Sequence, residues 1–334
     1  EGHICVDGDF IHYGAVNSKD MLTDGTLEVK GDFRVAGANG RYAFVATGNH
    51  SVLLSGKDAQ KVYFEISDTN SSSFQNLIIT NESAESVEFL KSDYYPLAKG
   101  IVNDNGNATK GYLRFIADTD FTNSSYAGGL TSLHSINLNK NIDIGGNLLL
   151  QSDDVKIYSR ITIGGDLYVE SKEPFSTRVS FNSGSFVRVE GDVSLCKESY
   201  LEGKTGTLEI AGDLYGEGTV KLEETHKLIL CGKERQDVSV PLNSLFAIFE
   251  ITNESEEVVW CKYVYTVREL IRNGNQLHYE GEAGVFGWIL EEDTVIEEDL
   301  ILLDDVLDLN GHSLLIKGDL VHCAGTVLLN GGTL

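Results

Sequence analysis

Gly206-Thr-Leu-Glu-Ile-Ala-Gly-Asp-Leu214 is the stretch whose reading decides the fold. Leu208 and Ile210 alternate with Glu209 and Ala211, the period of two of a half-buried strand. A near copy stands at Gly25-Thr-Leu-Glu-Val-Lys-Gly-Asp-Phe33, and a looser one at Gly184-Ser-Phe-Val-Arg-Val-Glu-Gly-Asp-Val193. The closing beat recurs at Gly8-Asp9-Phe10, Gly165-Asp166-Leu167 and Gly318-Asp319-Leu320, and weakly at Gly146-Asn147-Leu148 and Glu298-Asp299-Leu300. The glycine of this beat is expected to take a positive φ at a turn. The Asp is expected to accept a hydrogen bond from the backbone just beyond it, and the apolar residue opens the next strand.

Local spacings between the Asp or Asn positions are 19 (147 to 166), 26 (166 to 192), 21 (192 to 213) and 20 (299 to 319). A fixed period in this range marks a solenoid, in which one coil cannot bury its apolar side alone and neighbours must stack. The expected fold is therefore all-β: a right-handed parallel β-helix (β-solenoid) with about 20–22 residues per coil and about 15 coils. The handedness follows from the default for parallel crossovers. A sandwich or barrel with Gly-Asp hairpins is the competing reading, but such folds do not usually repeat a turn motif this faithfully.

The repeat has a longer period as well. Gly2-His3 leads to Gly8-Asp9-Phe10-Ile11-His12, and Gly311-His312 leads to Gly318-Asp319-Leu320-Val321-His322. Asp9, Asp166 and Asp319 lie 157 and 153 residues apart, which divides residues 1–334 into long repeats 9–165 and 166–318 and the start of a third at 319–334. The segment His50-Ser-Val-Leu-Leu-Ser-Gly56-Lys-Asp-Ala-Gln60-Lys-Val62 aligns with His226-Lys-Leu-Ile-Leu-Cys-Gly232-Lys-Glu-Arg-Gln236-Asp-Val238. Ile79-Thr-Asn-Glu-Ser83 likewise aligns with Ile251-Thr-Asn-Glu-Ser255. The second repeat holds one additional Gly-Asp coil, which a solenoid tolerates because it only lengthens the stack. The last residues break off in mid-coil, so a single solenoid cut from a longer protein is expected. Residues 91–126 and 258–288 depart from the beat and read as loops or decorations. Within the latter, Thr266-Val-Arg-Glu-Leu-Ile-Arg-Asn-Gly274 reads as a short helix capped by Gly274.

The chain carries 51 acidic and 26 basic residues, a net charge of −25, which opposes nucleic acid and anionic membrane surfaces as partners. No apolar run reaches the length of a membrane span, so no membrane insertion is expected, and the sequence shows no signal peptide. Thirty-five glycines and only 3 prolines suit many turns with few interruptions. The five cysteines (Cys5, Cys196, Cys231, Cys261 and Cys323) are odd in number and widely spaced, with no C-x-x-C, and read as unpaired packing residues.

Three sets of residues bear on chemistry. Six of the eight histidines recur at equivalent repeat positions, His3 with His312, His12 with His322 and His50 with His226. A catalytic residue is needed once, so recurrence favours a structural role, and no metal-binding spacing accompanies them. Glu291-Glu-Asp293, Glu297-Glu-Asp299, Asp304-Asp305 and Asp308 fall in one or two adjacent coils. Such carboxylates suit a solvated face, with a bound cation or glycoside hydrolysis as the chemical alternatives. Asn103-Asp-Asn-Gly-Asn107 lacks the full calcium-loop spacing and reads as a turn. Tyr94, Tyr95, Trp260, Tyr263, Tyr265 and Trp288 either stack on sugar rings or plug irregular coils. Nucleophile elbows and phosphate loops are absent.

The run Leu307-Asp-Leu-Asn-Gly-His-Ser-Leu-Leu-Ile-Lys-Gly-Asp-Leu-Val-His322, the Thr-Leu-Glu-Val-Lys-Gly-Asp-Phe coils and the His-x-Val-x-Leu-Ser-Gly-x-x-x-Gln-x-Val segment resemble repeat regions of large secreted, adhesin-like surface proteins of Gram-positive bacteria. The resemblance covers most of the chain. It implies an extracellular, cell-surface stalk or adhesive part and transfers no catalytic residue. The expectation is thus a non-catalytic, monomeric structural or adhesive stalk segment with no catalytic, cofactor or metal site, whose partner is a glycan or host surface ligand. The alternatives are a carbohydrate-active β-helix enzyme (polysaccharide lyase or hydrolase) and a calcium- or glycan-binding module.

Overall fold

The computed structural model describes residues 2–14, 17–37, 40–104, 109–116, 118–121, 125–132, 135–151, 153–171, 176–241, 243–255, 259–262, 265–271, 273, 277–279, 283–285, 288–290, 292–296, 299–302 and 306–334. The chain is a parallel β-solenoid of about 13 turns with essentially no helix. It divides into two compact units: Glu1–Ile136 with Asn141–Leu149 and Ile163–Gly165, and Asn137–Lys140 with Leu150–Thr162 and Asp166–Leu334.

In the first unit one sheet stacks His3–Val6, Thr26–Val29, Ser51–Leu54, Phe74–Ile79, Ala98–Asn103 and Asp120–Phe121. A second stacks Phe10–Tyr13, Phe33–Ala36, Gln60–Phe64, Val87–Phe89, Lys110–Phe115 and Gly129–Ser132. Every recorded pairing is parallel, and partners lie 23 residues apart at His3↔Thr26, 29 at Phe33↔Val62 and 17 at Tyr112↔Gly129. Several of these turns are longer than 20–22 residues, which is why the chain makes fewer turns than its length divided by 21 suggests. Val29, Phe33, Val35, Leu54, Val62, Phe64, Phe74 and Leu77 point inward and are completely buried. Their rings interlock: Phe33 and Phe74 lie 5.1 Å apart, and Phe64 and Phe74 lie 5.0 Å apart at 85°.

The second unit is more regular. Phe186–Val189 pairs with Thr207–Ile210, and this pairs with the second half of the long strand Thr219–Leu230. Leu167–Val169, Val193–Leu195, Leu214–Gly216, Asp237–Ser239 and Val259–Lys262 form a neighbouring ladder. Asp154–Ile157, Thr177–Phe181 and Ser199–Gly203 form a third, which runs into the first half of Thr219–Leu230 and on to Leu245 and Phe246. Leu208, Ile210, Leu214, Leu228, Leu230, Phe249 and Ile251 are fully buried, while Glu209 between Leu208 and Ile210 is only half-buried.

The Gly-Asp beat works differently from its sequence reading. The positive φ belongs to the glycine that opens the beat, +109° at Gly206. The glycine before Asp has no positive φ, and it is needed because turns approach too closely. A Cβ on Gly212 would collide with the Asp192 carboxylate and the Gly191 backbone of the turn before it. The Asp reaches across turns, not along the chain. Asp9 accepts from the Asp32 N–H (2.8 Å), Asp32 from Lys61 (2.8 Å), Asp166 from Asp192 (2.9 Å), Asp192 from Asp213 (2.8 Å), Asp213 from Asp237 (2.8 Å) and Asp299 from Asp319 (2.7 Å). A column of carboxylates thereby caps backbone donors that the turn leaves outside the ladder.

Two further expectations are corrected. The helix expected at Thr266–Gly274 is a strand, Tyr265–Ile271, whose Glu269, Leu270 and Ile271 pair with Ile248, Phe249 and Glu250; Gly274 lies outside the described residues. The backbone donors and acceptors of the waiting neighbour outweigh a local helical pattern that has no other packing partner. Residues 91–126 and 258–288 are not side decorations either. Strands Ala98–Asn103, Lys110–Phe115, Val259–Lys262 and Leu277–Tyr279 carry the ladders through both segments.

Candidate functional site

The most distinctive constellation is an interior polar clasp that occurs twice. In the first copy the Gln60 amide nitrogen donates to the carbonyls of Val29 (3.0 Å) and Gly31 (2.6 Å) in the preceding turn. Its Oε1 accepts from the Gly56 N–H (2.8 Å) and from the Asn81 side chain of the following turn (2.8 Å). Asn81 also donates to the Asp58 carbonyl and accepts from the Ser83 N–H, both at 2.9 Å. The second copy repeats each bond. Gln236 donates to Ile210 and Gly212, accepts from Gly232 (2.8 Å) and Asn253 (2.7 Å), and Asn253 bonds Glu234 and Ser255. Gln60, Gln236 and Asn81 are almost wholly buried, so every side-chain amide group has its partners where water does not reach.

His50 and His226 accompany the two clasps. His50 packs edge-on to Phe44 at 5.7 Å and His226 edge-on to Phe181 at 4.9 Å. Burial disfavours their charged forms. It lowers the pKa of His50 and brings that of His226 down to about 4, an effect the Lys227 backbone only partly offsets. His3 bonds Glu28 at 3.0 Å and His322 bonds the Gly325 carbonyl at 3.1 Å. His312 lies 3.9 Å from Asp293, and the Nε2 of His12 is buried without a hydrogen bond. None of the three sequence pairs brings its two members together at one site.

The acidic run is drawn into the turns. Asp293 accepts from the Ser313 N–H (2.7 Å), Asp299 from Asp319, and Asp308 from the Asn310 N–H (2.8 Å) and the Asn330 amide (2.8 and 2.9 Å). Glu291, Glu297, Glu298, Asp304 and Asp305 lie outside the described residues, as do residues 105–107 of the Asn103–Asn107 segment. Among the described residues no group of three or more His, Cys, Asp or Glu is placed to hold a metal ion. All five cysteines are free, but Cys5 and Cys323 are exposed and only Cys261 is fully packed.

The aromatic candidates divide. Trp288 is buried and plugs its turn. The guanidinium of Arg235 covers Trp260 (4.5 Å to the ring centre), Arg114 covers Tyr94 (4.7 Å) and the Lys91 ammonium lies over Tyr95 (5.6 Å). Tyr263 and the side chain of Tyr265 lie outside the described residues. Arg114 itself escaped the sequence reading. It is only 3 % exposed, donates to the carbonyls of Ser67 (2.7 Å) and Tyr95 (3.3 Å), and burial lowers its pKa to about 10. The recurrence of Gln60 and Asn81 at Gln236 and Asn253 was the one signal that marks the clasp in the sequence.

No family model matches the chain, and neither the curated proteins nor the solved structures contain a match. No helix of the described residues is long and apolar enough to cross a membrane.

Proposed function

We propose that this chain is a structural or adhesive stalk segment of a secreted bacterial cell-surface protein, working without catalysis. The duplicated clasp carries the reading. Six hydrogen bonds among nine groups recur in the same arrangement at Gln60 and Gln236, with a buried histidine ten residues before each Gln. A device made twice stabilises a stack; a catalytic centre has no use for an idle copy. Stacked turns also turn chain length into reach, which is what a stalk needs. The resemblance to Gram-positive surface repeats supplies the setting and rests on the repeat pattern alone.

The test has two arms. Antibodies against the chain are expected to label unpermeabilised cells of its source, and the purified chain is expected to release no reducing ends or unsaturated products from a polysaccharide panel. Labelling only after permeabilisation would remove the surface placement, and turnover of any polysaccharide would replace the stalk with the enzyme.

A further inference from the structure

The second unit carries a polar groove of about 380 Å³ on its flank, within the roughly 300–1,000 Å³ of small-molecule sites. Its lining comes from three consecutive turns. Register sets Ser180 beside Glu202 and Glu202 beside Lys221, on strands that stack about 4.8 Å apart. Asn182, Lys204 and Glu223 follow two residues later on each turn and form a second row. Between the rows the floor is Phe181 and Gly203. A Cβ on Gly203 would lie 2.8 Å from both Phe181 Cβ and His226 Cδ2, which are buried beneath the groove, so this position of its floor is held to glycine. The far wall exists because the long strand breaks register between Leu222 and Lys227, with Glu224 at a φ of 53°. The extra residues bulge outward at Glu223 and Glu224.

The groove is balanced in charge within a chain of net charge −25. Glu202 is held by Arg178 (2.6 Å) and by the Ser180 hydroxyl (3.2 Å), and Lys204 by Glu224 (2.8 Å). The Lys221 side chain makes no hydrogen bond or ion pair among the described residues, and the Glu223 carboxylate makes no hydrogen bond and lies near enough to Lys204 to raise that group's pKa; the two offer a donor and an acceptor to the space between them. Donors and acceptors therefore alternate on the scale of a few ångströms. A polyanion meets Glu202 and Glu223, and a polycation meets Lys204 and Lys221. A hydroxyl both donates and accepts, so a neutral polyhydroxylated chain satisfies both rows.

We infer that this groove binds a neutral oligosaccharide. The inference deepens the adhesive half of the function proposed above and rests on it for its biological setting, but its experiment uses only the isolated chain and fails independently of cell-surface labelling. Titration calorimetry is run with cellohexaose, maltohexaose, mannohexaose and chitohexaose, and with oligogalacturonate as the charged comparison. At least one neutral hexasaccharide is expected to bind at one site per chain, with oligogalacturonate at least about tenfold weaker. The exposed change Lys221→Met and the change Asn182→Ala are each expected to weaken binding about tenfold or more, as for central contacts of a site. Lys233→Met, on another turn, is expected to leave it unchanged. Absence of binding by every neutral hexasaccharide, equal binding by oligogalacturonate, or affinity insensitive to Lys221→Met and Asn182→Ala in variants with unchanged circular dichroism overturns the inference.

Discussion

His226 makes the second unit sensitive to acid. Its ring is fully buried, and its folded pKa of about 4 lies below the ordinary 6.5. Between these values the unfolded chain holds a proton that the folded chain refuses. Stability from this group is therefore complete above pH 6.5 and is lost as pH falls toward 4, by about 3 kcal/mol at 1.36 kcal/mol per pKa unit. Urea midpoints at pH 7.5 and pH 4 are expected to fall further apart in the wild type than in His226→Leu; equal falls would assign the acid sensitivity elsewhere. The clasp is the other residue-scale test. Gln236→Leu takes the side-chain partner from the Gly232 N–H and the Gly212 carbonyl, and one of two partners from the Ile210 carbonyl, which keeps the Cys231 N–H, and from the Asn253 amide, which keeps Glu234. Buried groups left unpaired put the cost at about 3 kcal/mol, and Gln60→Leu is expected to cost the same within about 1 kcal/mol. Denaturation of both variants checks the equality, which a merely local role at one site would break. The sequence displayed the recurrence of Gln60 and Gln236 but not its meaning, since the bonded carbonyls lie in the turn before. Arg114 left no sequence trace at all: it sits between Leu113 and Phe115 in a strand where all three are buried, against the alternation that strand patterning assumes.

At the scale of the element, the Gly-Asp turn is defined by what stacks on it. Asp192→Asn keeps an oxygen for the Asp213 N–H and is expected to change stability by less than about 0.5 kcal/mol, whereas Asp192→Ala leaves that donor open and is expected to cost about 1–2 kcal/mol. Thermal melts of the two variants separate the hydrogen bond from the charge. Asp213 adds a refinement. Burial first, then the like charges of Asp192 and Asp237, raise its pKa despite the Asp237 N–H. Its folded form holds the proton more tightly than the unfolded chain, so its contribution improves as pH falls and its charge is a burden at neutral pH. Asp213→Asn is accordingly expected to raise the melting temperature at pH 7, and a lowered one would show that the charged acceptor outweighs the repulsion. The strand alternation and the turn period were legible because they are written along the chain. The partner of each Asp was not, because it lies a full turn away, 21 residues from Asp192 and 29 from Asp32. The Tyr265–Ile271 strand was missed for the same reason: Val267, Leu270 and Ile271 suit a helix as well as a strand, and the neighbour Leu245–Ile251 decides. Ser180, Glu202 and Lys221 become one row only when register is known.

At the scale of the whole molecule, turns are interchangeable parts. Residues 193–213 make up one complete turn, and their removal joins Asp192 to Leu214, which restores a Gly-Asp-Leu beat. Thr177–Phe181 then meets Thr219–Leu222, and Phe186–Val189 meets Lys227–Leu230, in the registers that Ser199–Gly203 and Thr207–Ile210 now occupy. The deletion is expected to fold with a β-sheet circular dichroism spectrum and a cooperative melt, while deletion of residues 193–203 breaks register and is expected to aggregate. Two folded deletions, or none, would sink the modular reading. The bonds between turns also have a sense. Each column Asp gives its carboxylate to the turn that follows, and each clasp Gln and Asn sends its amide to the turn before. A turn already laid down thus holds out an acceptor, and the next turn arrives carrying the group that fastens its predecessor. In a chain that emerges N-terminus first, as from a ribosome, each Asp acceptor is therefore already in place when the donor of the next turn arrives.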